Sequence, residues 1–184
     1  MARLAGGHDP ALNDLMERHA EKLFHYLVRS LLDEADAADL AQETFVRVFQ
    51  NRAKFDPRQK FSTWLYAIAS NLVRDRYRWR SRHQQVSLDA ENEQTESGLK
   101  DTLKAVGPLP DQTMQTEERA EVVRKAVAGL PAELRQPLIL AVYQDLPQAE
   151  IASILKCSVK AVETRIYRAR QQLRAALAGL MPSL

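Results

Sequence analysis

Residues 146–177 read LPQAEIASILKCSVKAVETRIYRARQQLRAAL, and this stretch decides the fold class. Ile151, Ile154 and Leu155 recur at the spacing that gives a short helix one apolar face. Lys156-Cys157-Ser158 fits a tight turn, with Ser158 placed to cap the start of a longer helix. Val159, Val162, Ile166, Ala169 and Leu173 repeat along the inner side of that second helix. Its other side offers Lys160, Thr164, Arg165, Tyr167, Arg168, Arg170 and Arg174. The pattern is that of a helix-turn-helix with a basic second helix. Such a helix fits the major groove, where Arg reads guanine edges and Lys or Thr holds phosphates. An ordinary helical hairpin with a solvated basic face has the same spacing, so this stretch alone leaves both readings open. Cys157 reads as a small, half-buried turn residue.

Helical periodicity extends in both directions from here. Asp9-Pro10 marks a helix start, followed by apolar positions Leu12, Leu15, Met16, Leu23, Leu27 and Leu31. Asp33, with Asp36 three residues on, opens a second helix carrying Leu40, Phe45, Val48 and Phe49. Pro57 breaks the loop 54–60, and Ser62 is placed to cap a third helix running to about residue 82. A helix from about Glu117 is expected to stop at Gly129 in a left-handed turn, and Leu130-Pro131 opens the next, with an early kink at Pro137. No segment has strand alternation. The fold class is all-α.

Between the helical blocks lies VSLDAENEQTESGLKDTLKAVGPLPDQTMQTEE (86–118), whose polar and acidic composition reads as a linker. Charge divides the same way. Residues 1–84 carry a net +3, 85–118 carry −6 and 119–184 carry +5, although the whole chain is only +2. Two small helical domains joined by a flexible acidic linker follow, and paired basic blocks suit a polyanionic partner. The expected bounds are 8–85, 86–118 and 119–180. Hydrophobic residues at 45% rule out a disordered chain of 184 residues. The 6 glycines include no phosphate-binding pattern, and the single cysteine forms no internal disulfide and suits a reducing cytoplasm. No apolar run approaches a membrane span.

The third helix carries a second signal. Leu65, Ile68, Ala69 and Leu72 share a core-facing side, while Trp64, Asn71 and Arg78, spaced by seven, run beside it with Arg74 nearby. An aromatic, an amide and guanidiniums along one line suit stacking and hydrogen bonding to unpaired bases. Core packing alone also accounts for Trp64. Downstream, RDRYRWRSR (74–82) sets five arginines around Tyr77 and Trp79.

DLAQETFVRVF (39–49), FSTWLYAIASNLVRDRYR (61–78) and LPAELRQPLILAVYQDLPQAEIASILKCSVKAVETRIYRARQQL (130–173), in that order, resemble the extracytoplasmic-function (group IV) sigma factors of bacterial RNA polymerase. The resemblance covers nearly the whole chain. It implies a promoter-melting domain at 8–85 and a −35-reading domain at 119–180. By resemblance Asp39, Leu40, Gln42 and Glu43 dock on the β′ clamp helices of core RNA polymerase. Phe55, Ile68 and Asn71 resemble the pocket for a flipped −10 base, with Lys60, Trp64, Arg74, Arg76, Arg78 and Arg80 along the melted strand. Ser158, Lys160, Thr164, Arg165, Tyr167, Arg168 and Arg170 fall on the −35-reading helix. Lys160-Ala161 stands where many members carry Gly-Thr, and Glu163 where a basic residue is common. The linker resembles the segment that threads toward the active-site cleft. The implied partners are core RNA polymerase (β′ clamp helices and β flap), promoter DNA and an anti-sigma factor, in the cytoplasm and without a membrane span.

Two other classes remain. A stand-alone helix-turn-helix regulator binds duplex operators by itself and has no use for the Trp64/Asn71 stripe. An enzyme needs a constellation that the four histidines (His8, His19, His25, His83) do not form, so no catalysis, cofactor or metal is expected. The family's promoter elements lie roughly 85 Å apart at ~34 Å per helical turn. A free linker of this length spans only ~30–35 Å on average, so the free chain is expected to hold its halves too close to reach both.

Overall fold

The computed structural model describes residues 1–87 and 110–178. Among these residues are eight α-helices and no strand. They are α1 (Ala2–Ala5), α2 (Ala11–Leu31), α3 (Glu34–Gln50), α4 (Phe61–Ser87), α5 (Pro110–Ala128), α6 (Ala132–Val142), α7 (Gln148–Leu155) and α8 (Val159–Leu177). A single 3-10 turn, Arg52–Lys54, leads out of α3.

Local signals fix several ends. Asp33 caps α3 by accepting from the Asp36 amide at 2.9 Å. Ser158 caps α8 by accepting from the Ala161 amide at 3.1 Å. Each satisfies one of the donors that a helix N-terminus leaves free. Other ends differ from the sequence expectation. Pro10 rather than Asp9 is the boundary residue of α2, and no side chain caps it. Helix α4 begins at Phe61, so Ser62 lies inside it, and it continues to Ser87. Helix α5 takes in 110–118, which the composition assigned to the linker. Gly129 does not adopt a positive φ; the non-glycine left-handed residues among those described are Leu32, Asp145 and Lys156, where φ is 60°, 50° and 52°. Pro137 lies inside α6, which runs as one helix around it. The rest of the expected linker, 88–109, lies outside the described residues.

Helices α2, α3 and α4 pack around Leu23, Tyr26, Leu27, Val48, Leu65 and Val73, all buried. Tyr26 is central: its hydroxyl pairs with Ser70 at 2.8 Å and its ring meets Tyr66 edge-on at 5.3 Å. Burial pushes the Tyr26 phenol up to about 12 and raises that of Tyr66 too, so both stay neutral donors at physiological pH. In the C-terminal half, α6 has consecutive buried residues from Leu134 to Leu140 because it is enclosed by α8 on one side and α2 on the other.

The halves therefore meet directly, α6 on α2 and α7 on α4. At the first seam Arg135 is buried (4% exposed) and donates to the Ser30 carbonyl at 3.0 Å and the Ala128 carbonyl at 2.6 Å. It also reaches the Tyr77 hydroxyl, which itself donates to the Ser30 carbonyl. The Arg29 guanidinium lies 4.3 Å over the Tyr143 ring. At the second seam Glu150 of α7 accepts from Lys60 and, at 2.9 Å, from Thr63, while Tyr66 donates to Gln144. The Lys60 ammonium holds the Glu150 carboxyl below its usual range, with the Thr63 hydroxyl adding to the effect against partial burial. That contribution is complete at neutral pH and is lost as pH falls through the lowered value.

Arg135→Ala removes a charged donor from two carbonyls on different helices. It should cost about 1–3 kcal/mol and lower the thermal midpoint by several degrees. An unchanged melting curve contradicts this account of the seam.

Candidate nucleic-acid interface

The rotation of α4 is set by its buried side. Leu65, Ala69, Leu72 and Val73 face the core, which leaves Trp64, Ile68 and Asn71 half-buried along the edge. There they line a cavity of ≈ 250 Å³ together with Arg47, Asn51 and Lys54. Two apolar walls, two amides and two cations suit a planar, hydrogen-bonding group carrying an anionic tail. The sequence stripe supplied Trp64 and Asn71; Ile68, which periodicity placed on the core-facing side, was supplied by the family resemblance and is half-buried at the cavity edge. Both missed Arg47, Asn51 and Lys54, which come from the end of α3 and the turn beyond it. Asn51 ends α3 and donates its side-chain amide to the Arg47 carbonyl at 2.9 Å, a tertiary placement that helical periodicity alone does not reveal.

Other expected residues are placed differently. Phe55 is not a wall of the cavity. Its ring packs on Trp64 at 5.2 Å and on Phe61 at 6.4 Å, so it supports a cavity residue without lining the cavity itself. Arg76 and Arg80 both bind Asp36 on α3, and Arg80 also reaches Asp33 at 3.3 Å; they tie α4 to α3 rather than lying open along a strand path. Lys60 is held by Glu150. Arg74 is half-buried, and Arg78 is exposed with a loose 3.7 Å pairing to Asp75.

On α3, Asp39 and Gln42 are exposed. Leu40 is not: it is 5% exposed and belongs to the core, since its position on α3 points toward α2 and α4. Glu43 is half-exposed and accepts from Arg47 at 2.7 Å, so a cavity residue and an expected docking residue form one ion pair.

In the C-terminal half, Ile151, Ile154, Val162, Ile166 and Ala169 are buried between α7, α8 and α6. The turn closes through Lys156 in the left-handed region and a Cys157 amide bond to the Ala152 carbonyl at 3.0 Å. Val159, expected inside, is 43% exposed because it occupies the first position of α8. Lys160, Tyr167, Arg168 and Arg170 project outward. Lys160 pairs with Glu163 at 3.1 Å, and Tyr167 accepts from Gln171 at 2.9 Å. Three expected contacts have local roles in this state. The Ser158 hydroxyl is the cap, the Thr164 hydroxyl donates to the Lys160 carbonyl at 2.9 Å, and Arg165 donates to the Cys157 sulfur at 3.6 Å.

Among the described residues no three His, Cys, Asp or Glu side chains are grouped to hold a metal ion, and no helix is long and apolar enough to cross a membrane.

Known proteins share this arrangement. Residues 15–83 match the family model of Sigma-70 region 2, and residues 120–173 match that of Sigma-70, region 4. The ECF RNA polymerase sigma factor SigW of Bacillus subtilis is 35% identical over 175 residues, covering 95% of this chain and 92% of the relative. The RNA polymerase sigma factor CnrH of Cupriavidus metallidurans is 36% identical over 183 residues, covering 96% and 91%. The solved structure of CnrH in complex with the cytosolic domain of CnrY superposes with a TM-score of 0.68 at 28% identity, over 97% of this chain and 94% of that one. The sigma factor RpoE, solved with the anti-sigma factor NepR from Bartonella quintana, gives 0.73 at 22% identity over 90% and 96%, and so bears on the fold alone. With both sigma regions matched in order and relatives aligned over nearly their whole length, the chain belongs to the extracytoplasmic-function RNA polymerase sigma factors, proteins of transcription initiation.

Proposed function

We propose that residues 8–85 bind core RNA polymerase and capture an unpaired base of the −10 element, while residues 119–180 read the −35 element through α8. The observation that carries this reading is the cavity between Trp64, Ile68 and Asn71 on α4 and Arg47, Asn51 and Lys54 before it. A regulator that binds only duplex operators has no use for such a cavity. Asn71 offers donors and an acceptor to a base edge, Trp64 and Ile68 give apolar walls, and Arg47 or Lys54 meets the adjoining phosphate. Asp39, Gln42 and Glu43 present an acidic and amide face on α3 to a basic surface of the clamp helices, with Leu40 supporting them from the core. On α8, Lys160, Tyr167, Arg168 and Arg170 meet the groove, and Arg165 joins them on leaving Cys157. The C-terminal half also meets the β flap. The chain acts by binding rather than catalysis, in the cytoplasm.

An anti-sigma partner belongs to the same reading. It is supported by the solved relative CnrH, which is bound to the cytosolic domain of another protein, CnrY. The seams between the two halves bear on its mechanism too. While Glu150 holds Lys60 and Arg135 holds the end of α2, the two reading surfaces stay on one compact body. Promoter elements roughly 85 Å apart cannot both be met from it. Polymerase must separate the halves.

Run-off transcription with core polymerase on genomic fragments tests the function directly. Discrete transcripts that require both the chain and core polymerase are expected; their absence on every fragment contradicts the reading. Asn71→Ala should then open duplex promoters poorly, by about fivefold to 150-fold for the loss of a base-edge contact of about 1–3 kcal/mol. A template already melted across the −10 element should recover much of that activity, because the unstacking cost is gone. Permanganate footprints on both templates, with a melting curve of the variant, make the check. Normal opening by a stable Asn71→Ala protein ends the base-capture assignment.

A further inference from the structure

The two aromatics among the arginines at 74–82 separate in the structure. Tyr77 turns inward, to the Ser30 carbonyl and Arg135. Trp79 turns outward, and 49% of its surface is in solvent although His83 stacks on it at 4.2 Å and 28°. His83 is fixed in turn by its Nδ1, 2.8 Å from the Trp79 carbonyl. The result is a two-ring platform on a helix surface, where an unsupported indole of this size is seldom left exposed.

Its position is not arbitrary. Trp79 lies eleven residues after Ile68, a wall of the cavity. At ~100° per residue that is three turns plus ~20°, so the two side chains lie on one line about 16 Å apart along the axis. A shallow groove on the same stretch of α4 is lined by Asp75 and Arg78, which fall between the two, and by Ser81 and Arg82, which lie just beyond Trp79. Arg78 and Arg82 flank the indole by one and three positions, and both are exposed. Asp75 is the single acidic group on this groove wall, and it leans toward Arg78. Apolar surface edged by guanidiniums on a line leaving the base cavity matches a polyanion with planar bases rather than an apolar protein partner.

We infer that Trp79, backed by His83, stacks an unpaired base of single-stranded DNA whose phosphates lie along Arg78 and Arg82. This site is distinct from the cavity at Asn71. The inference rests on α4 being the strand-binding helix. About 16 Å corresponds to roughly five nucleotides at the 3.4 Å spacing of a stacked strand, so one strand occupies both sites without stretching. Stacking is tolerant of base identity, so the platform contributes affinity and path rather than sequence. Trp79 is exposed in the compact chain, so the full-length protein alone is the right material.

The test is fluorescence anisotropy of a labelled mixed-sequence single-stranded 20-mer, with its duplex as the second probe, at fixed low salt. Trp79→Ala should weaken single-strand binding about fivefold or more, while Trp79→Phe, which keeps a ring, should stay within about twofold of wild type. Duplex binding should be unaffected by either change. Asn71→Ala is measured in parallel and reports on the cavity alone, so failure of one site is told from failure of the other. Circular dichroism confirms that each variant is folded. Trp79→Ala binding within twofold of wild type overturns the platform, as does a Phe variant as weak as the Ala variant. An equal loss on duplex also overturns it, because then no unpaired base is being stacked.

Discussion

The outward face of the N-terminal half is registered on the buried side of α4. Leu65, Ala69 and Val73 fix the rotation of the helix in the N-terminal core. That rotation puts Trp64, Ile68 and Asn71 at the cavity and carries Trp79 along the same line. The same helix offers Thr63 to α7 and Tyr66 to Gln144 just before it, so the C-terminal half is seated by residues one or two positions from the cavity walls. A close-packed interior cannot rotate a helix by a fraction of a turn without losing many contacts at once. Core packing, the cavity at Asn71 and the interdomain seam are thus one geometric decision.

The seams are polar and not uniformly strong. Lys60 and Glu150 are partly solvated, and such ion pairs are worth little on average. Arg135 is different: its guanidinium is buried with two carbonyls and a phenol as partners and without a carboxylate among the described residues. Its Nε has no partner there, nor does the Ser30 hydroxyl oxygen. A buried cation neutralised only by dipoles is costly, so this seam holds its geometry tightly while contributing modest net stability. An interface of that kind suits a contact that must form in the free protein and yield to a larger partner.

Much of this was legible in the sequence because it is local. The Asp33 and Ser158 caps, the tight turn before Ser158 and the 3.6-residue stripes on α4 and α8 depend on neighbours within a few positions. The misplacements are tertiary. Leu40 has the spacing of either a docking or a core residue, and only the presence of α2 and α4 decides. Arg76 and Arg80 read as strand contacts until Asp36, some forty residues earlier, is brought beside them. Phe55 belongs to the right aromatic group but packs on Trp64 and Phe61 instead of lining the cavity. The division of Tyr77 from Trp79 follows from one helical step of ~100° per residue taken twice. No composition argument distinguishes them.

The central claim is that the free chain is one compact body that polymerase pulls apart. The direct measurement is energy transfer between dyes on exposed sites of α2 and α8, using Glu17→Cys and Gln172→Cys in a Cys157→Ser background, with and without core polymerase. The account predicts efficient transfer in the free protein and a large drop on adding core enzyme. Transfer that is unchanged when core polymerase is bound contradicts it.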